Sequence, residues 1–295
     1  MIRIKAPAKI NLFLEVTGRR PDGYHDLATV FARVAACDEL LLGRSARPGI
    51  WLTVKDGAGL GLENNSDNLV YKAAESFFKA FGLPPAVKIT LRKNLPVGAG
   101  LGGGSSDAAA TLLGLCRLYG VARRANAAKL RRLAAGLGSD VPFFLLESPL
   151  AAATGRGEKL KVLAARGRLP AVIIIYPGKP VYTKDVFGRL VVAARPEIKS
   201  RLADFRAIIR KLGNGEFSAA ACGLLFNRLE GAVLPVRKDV RLAHARLVKA
   251  GADAVLMSGS GSSVFALAWD RRLARRIAAA AACNSSYKVL FTEFC

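Results

Sequence analysis

The chain has 295 residues, 52% hydrophobic and 23% charged, with 45 Lys+Arg against 22 Asp+Glu and a formal charge of +23. That much apolar material excludes a disordered chain, and no apolar run reaches the roughly 18 residues that a membrane-spanning helix needs. Five cysteines without a CxxC pair make neither a disulfide framework nor a zinc signature, and two histidines, His25 and His244, cannot build a multi-histidine metal site.

Charges interleaved with apolar residues in MIRIKAPAKINLFLEV rule out the unbroken core of an export signal, so a cytoplasmic location is expected. Alternation at Ile10, Leu12, Leu14 and Val16 predicts a strand, followed by strands at 29–36, 39–42 and 50–54. A helix capped near Ser66 or Asp67 carries Leu69, Val70, Ala73, Ala74, Phe77, Phe78 and Phe81 at helical spacing and ends at Gly82. A strand through Val87, Ile89 and Leu91 leads into a glycine-rich loop and then a helix at 105–119, with another helix at 125–136. The aliphatic run 172–175 has the character of a strand buried on both faces. Helices near 197–211, 216–226 and 237–250 come next, and 252–292 then reads β-β-α-β, which indicates an antiparallel sheet backed by helices. No repeat or linker marks a boundary; the change of rhythm divides 1–160 from 161–295.

The positive charge favours anionic partners, but its clusters sit on helix faces. Arg271, Arg272, Arg275 and Arg276 lie opposite Leu273 and Ile277, with no interleaved aromatics to stack bases, so a solvated face is expected rather than a nucleic-acid or membrane site.

Three segments carry chemistry. In LPVGAGLGGGSSDAA, residues 95–109, Gly98, Gly100, Gly102, Gly103 and Gly104 precede Ser105 and Ser106 at a helix start, which makes a phosphate cradle of backbone amides. It lacks the Gly-Lys-Ser/Thr ending of a Walker loop and the second-strand acid of a dinucleotide fingerprint. Lys9, in APAKINLFLEV, is either a strand lysine reaching to solvent or a functional cation. Asp140, in LGSDVPFFL, is either a helix cap or a buried base. MSGSGSSVFAL, residues 257–267, is a Ser/Gly turn between strands and reads equally as a plain hairpin.

Together and in this order, the segments around Lys9, the glycine loop and the 257–267 turn resemble the three motifs of the GHMP kinase superfamily. Within it, PAKINLFLEVTGRRPDGYHDL at 7–27 and LGSDVPFFL at 137–145 are similar to kinases of a cytidine-diphosphate-linked methylerythritol in non-mevalonate isoprenoid precursor synthesis. The resemblance implies an α+β, two-domain GHMP kinase fold, with an N-terminal mixed α/β domain and a C-terminal ferredoxin-like layer. It implies ATP as co-substrate, Mg²⁺ arriving with it, and 4-diphosphocytidyl-2-C-methyl-D-erythritol as acceptor. Asp140 would take the proton of the acceptor's 2-hydroxyl, while Lys9 would keep Asp140 ionised and stabilise developing charge. Pro96, Val97, Gly98, Ala99, Gly100, Leu101, Gly102, Gly103, Gly104, Ser105 and Ser106 would hold the ATP phosphates, with Asn68 and Leu69 at adenine. Tyr24 and His25 would grip cytosine, Phe187 or its neighbour Tyr182 would stack on it, and Asn11, Lys93 and Thr183 would lie near the substrate. No acidic Mg²⁺ ligand stands out, Glu147 and Glu158 lacking motif support, so the metal site stays unassigned, as does the oligomeric state. The alternatives are another small-molecule kinase of the superfamily, a non-catalytic ligand sensor on the same fold, or a basic nucleic-acid binder.

Overall fold

Alternation at the start of the chain produces two long strands, β1 (Ile2–Arg19) and β2 (His25–Arg44), joined by a turn in which Tyr24 O accepts from Arg20 N–H at 2.8 Å. The sequence places a break in β2 at Cys37 and Asp38, because an acid in an apolar run reads as punctuation. The strand runs through, since Asp38, fully buried, is paired with Lys93 and accepts the amides of Asn94 and Leu95. The computed structural model describes residues 1–56, 66–164, 166–283 and 286–295. These form two compact units of interleaved segments: 1–8, 37–97 and 102–147 in the first, and 9–36, 98–101 and 148–295 in the second. The expected division at 160 falls inside the last segment.

In the first unit, β3 (Gly49–Asp56) runs parallel to β4 (Ala86–Lys93), which pairs antiparallel with the 39–44 end of β2. The helices of this unit are α1 (Leu69–Phe81), α2 (Gly103–Tyr119), α3 (Ala127–Leu137) and the single turn α4 (Val141–Phe144). Asn68 caps α1 and a left-handed Gly82 ends it, while Val70, Ala73, Ala74, Phe77 and Phe78 form its buried face. Helix α2 approaches β2 closely because Gly114 has no side chain; a Cβ there would lie 2.8 Å from a Leu42 methyl.

The second unit holds β5 (Leu150–Gly155), β6 (Lys159–Leu163) and β7 (Ala171–Tyr176), then α5 (Thr183–Arg189) and α6 (Arg195–Asn214). There follow β8 (Phe226–Asn227), α7 (Glu230–Val233), α8 (Lys238–Lys249), β9 (Ala254–Met257), β10 (Val264–Ala268), α9 (Arg271–Ala282) and β11 (Lys288–Thr292). β5 pairs antiparallel with β2 and β6, and β8 runs parallel to β1. The remaining strands form an antiparallel sheet of order β11-β7-β10-β9, as the β-β-α-β rhythm indicates. Its Ile173, Ile175, Val264 and Ala266 share one core with Val240, Ala243 and Leu247 of α8 and with Ala274 and Ile277 of α9. Each buried aliphatic side chain there contributes about 1.5–3 kcal/mol.

The fold is α+β, and two expectations change in detail. Residues 216–226 give a 3-10 helix at Ala219–Leu224 and then β8, because Gly215 ends α6 in a left-handed conformation and Phe217 and Ser218 lead in without helix. β5, β6, α4, α5 and α7 are additional elements, too short to show a period. Arg271, Arg272, Arg275 and Arg276 are exposed opposite the buried face of α9, a solvated helix face. Among the described residues, no helix is long and apolar enough to cross a membrane.

Candidate active site

The glycine loop connects β4 to α2. Gly98, Gly100 and Gly102 alternate in the left-handed region, with φ of 63°, 73° and 68°, the arrangement that gathers successive amides into an anion-binding concavity. A side chain is impossible at Gly100, where a Cβ would lie 1.9 Å from Ser258 O. No side chain caps α2, so its first N–H groups and the positive end of its dipole point out of the helix start. The hydroxyl of Ser106 is buried there with no hydrogen-bond partner among the described residues. Leu69 packs on the same turn, its methyl 3.4 Å from a Cβ at Gly104, and Asn68 accepts from Val70 N–H at 2.9 Å. Pro96 is buried and Val97 half-buried at the entrance.

Lys93 lies beneath this helix start, not on its surface. It is 7% exposed; its ammonium is paired with Asp38 and donates to Asp107 Oδ2 at 2.8 Å. Burial, only partly offset by Lys93, pushes the Asp107 carboxyl up to about 7, with Asp38 adding to the rise. The cluster joins β2, the end of β4 and the first turn of α2. The two carboxylates take two of the three ammonium donors.

Lys9, on β1 in the second unit, is 5% exposed, so it is not a strand lysine reaching to solvent. Its Nζ donates to Asn11 Oδ1 at 2.7 Å; Asn11 Nδ2 donates to Thr29 Oγ1 at 2.8 Å, and that hydroxyl donates to Phe13 O at 2.6 Å. The Lys9 amide is bonded to Leu101 O at 2.9 Å. The 257–263 turn closes on this point: Ser258 Oγ donates to Gly100 O at 2.9 Å and Ser263 N–H to Ala99 O at 3.1 Å, while Lys9 Nζ lies 3.1 Å from a Cβ at Gly259. It is therefore part of the loop's support and not a bare hairpin tip. Asp140 belongs to the first unit, half-buried at the N-cap position of α4, yet its side chain makes no capping bond.

At the aromatic end, also in the second unit, the His25 imidazole stacks on Phe187 with centroids 4.9 Å apart and planes at 28°. Burial, with the charge of Arg19, lowers the His25 pKa, which leaves a neutral ring with one donor and one acceptor at physiological pH. Tyr24 is 55% exposed and carries the Arg156 guanidinium 4.9 Å from its ring centre. Asp22 holds the turn, accepting from Tyr24 N–H and from Arg20. Thr183 at the start of α5 shares a hydrogen bond of 3.0 Å with Ser260, while Tyr182 points outward, 68% exposed. Phe187 rather than Tyr182 thus faces the Tyr24-His25 turn.

The family pattern described as GHMP kinases N terminal domain matches residues 68–148, and that described as GHMP kinases C terminal matches 198–287. A 4-diphosphocytidyl-2-C-methyl-D-erythritol kinase of Exiguobacterium sibiricum is 40% identical over 94% of this chain and 92% of its own. That of Prosthecochloris aestuarii is 37% identical over 99% and 96%. The chain belongs to the 4-diphosphocytidyl-2-C-methyl-D-erythritol kinases. A crystal structure of 4-(cytidine 5'-diphospho)-2C-methyl-D-erythritol kinase covers 99% of both chains at 36% identity with a TM-score of 0.77. A mevalonate kinase at 12% identity and TM-score 0.76 shares the fold alone.

The chain is an ATP-dependent small-molecule kinase, and its fold brings to these segments further polar residues that the motifs do not name. Asp38 and Asp107 escape a sequence reading because their partner Lys93 is remote on the chain, although an acid inside an apolar strand was a usable sign for Asp38. Asn227 and Glu230, which grip the 257–263 turn, sit on elements too short to show a pattern. Among the described residues, no group of three or more His, Cys, Asp or Glu is arranged to hold a metal ion.

Proposed function

We propose that this kinase transfers the γ-phosphate of ATP to the 2-hydroxyl of 4-diphosphocytidyl-2-C-methyl-D-erythritol in non-mevalonate isoprenoid precursor synthesis, in the cytoplasm. Asp140 accepts the hydroxyl proton as the oxygen attacks phosphorus, and the bond to the β-phosphate oxygen breaks to release ADP. Lys9 supplies the cation that offsets developing charge, and the amides of 98–106, with the Ser106 hydroxyl, hold the phosphates, on which Mg²⁺ would arrive. Asn68 and Leu69 border adenine. His25 reads the cytosine edge, Tyr24 and Phe187 offer ring faces, and Asn11, Lys93 and Thr183 lie toward the acceptor. The domains at 1–160 and 161–295 each contain one of the two family matches. No nucleic-acid or membrane partner is part of this proposal.

The observation that carries this reading is the neutral His25 imidazole stacked on Phe187. It offers a base-recognition edge for which galactose, homoserine or mevalonate has no use. Replacing Asp140 by Asn tests the chemistry: turnover is expected to fall by about 10²- to 10⁴-fold with ATP binding retained, and wild-type turnover would remove Asp140 from the role of base.

A further inference from the structure

The short segment FNRLE, residues 226–230, belongs to none of the three motifs, yet it holds the third one in place. Asn227 is 2% exposed on β8, in register with Leu14 of β1. Its Nδ2 donates to Met257 O at 2.7 Å and Gly259 O at 2.8 Å, and its Oδ1 accepts from Leu229 N–H at 3.0 Å. Glu230, largely buried, accepts from Met257 N–H at 2.6 Å. The Met257 residue is thus gripped at its N–H by one side chain and at its carbonyl by the other. A buried amide with three directed bonds costs heavily to replace, because the carbonyls it serves are then unpaired.

The same turn meets the transfer machinery on its other side. Lys9 Nζ and Asn11 Oδ1 lie 3.1 and 3.4 Å from a Cβ at Gly259, and Ser258 and Ser263 bond to the carbonyls of Gly100 and Ala99. β1 therefore meets the turn twice: at Lys9, whose carbonyl lies 3.5 Å from the Ser258 hydroxyl, and, by its pairing with β8, through Asn227.

We infer that Asn227 and Glu230 are positioning residues for phosphoryl transfer, fixing the 257–263 turn against Lys9 and the 98–101 loop so that cation and phosphate cradle keep one spacing. This rests on the assignment of Lys9 as the transfer cation. Misplacement of reacting groups by about 1 Å costs up to roughly 100-fold in rate. A purely architectural brace would instead lower stability and leave the rate of folded enzyme unchanged.

The test is steady-state kinetics on the full chain with ATP and the cytidylylated acceptor, for Asn227→Ala, Asn227→Ser, Glu230→Ala, Glu230→Gln, Lys9→Ala and the Lys9→Ala/Asn227→Ala pair. Asn227→Ala is expected to lower kcat by about 10- to 100-fold while the acceptor KM changes by no more than about twofold. Asn227→Ser, which keeps one donor, should fall between it and wild type and serves if the alanine variant does not fold. Glu230→Gln should recover most of the kcat lost in Glu230→Ala, since its amide oxygen still accepts from Met257 N–H. In the Lys9→Ala background, adding Asn227→Ala should cost little more, because its effect passes through Lys9. Wild-type kcat in folded Asn227→Ala or Asn227→Ser, or a full additive loss in the double variant, would overturn the inference. Wild-type turnover in Lys9→Ala alone would instead overturn the assignment of Lys9, and the inference with it.

Discussion

The second unit carries two parts of the proposed site, built on opposite plans. Around Lys9 every named side chain is closed in, with Lys9, Asn11 and Thr29 at 5%, 1% and 0% exposure and a chain of directed hydrogen bonds running to the Phe13 carbonyl. Around Tyr24 and His25 the surroundings are more open, with Tyr24 55% exposed and His25 and Phe187 half-buried, and the contacts are ring stacking and a guanidinium over a ring. The difference fits the role we propose for each. Phosphoryl transfer depends on alignment within fractions of an ångström and on dipoles fixed before reaction, so its supports are over-determined. A base can complete its own pocket, because stacking tolerates adjustment and the ligand supplies the missing surface.

Breaking buried polar structure should therefore be far costlier than trimming the open rings. The largest effect is expected from Lys93→Met in the first unit, which leaves Asp38 and Asp107 buried without their cation. A loss of about 3–5 kcal/mol in urea unfolding is expected, and a loss below about 1 kcal/mol would mean that the cluster is solvated. Gly100→Ala comes next: it puts a methyl onto Ser258 O at a φ of 73°, and kcat should drop by roughly 100-fold with the far-UV spectrum retained. Tyr24→Ala should instead raise the acceptor KM by about tenfold, the worth of one aromatic contact, with kcat nearly unchanged. The smallest effect concerns pH. Because the His25 pKa lies below the ordinary imidazole value, its neutral form persists through neutrality, and the acceptor KM should stay flat from neutral to mildly alkaline pH. It should rise only as acid protonates the ring and removes its acceptor, and His25→Gln should abolish that rise; a rise beginning above neutrality would contradict the neutral ring.

The regular parts of the fold were legible because they have a period. The phenylalanines and alanines of α1 mark its buried face, and the β-β-α-β rhythm of the last elements gives the antiparallel sheet. The glycine loop was legible for a different reason: its composition exceeds the needs of a turn, and the three left-handed glycines show what the excess is for. What stayed hidden depends on distant pairing. Asp38 looked like the end of a strand until Lys93 satisfied it, and Asn227 is meaningful only through the Met257 and Gly259 carbonyls. Lys9 and Asp140 each admitted a bland alternative in sequence, and local geometry disfavours both: Lys9 is buried, and Asp140 does not cap α4 through its side chain.

The most direct test is ATP consumption by the purified full chain with 4-diphosphocytidyl-2-C-methyl-D-erythritol, set against galactose, homoserine and mevalonate. Turnover with the cytidylylated acceptor alone is the predicted result, since it needs both the fixed loop around Lys9 and the open Tyr24-His25 rings. Comparable turnover with an acceptor that lacks a base would contradict the division of labour between them.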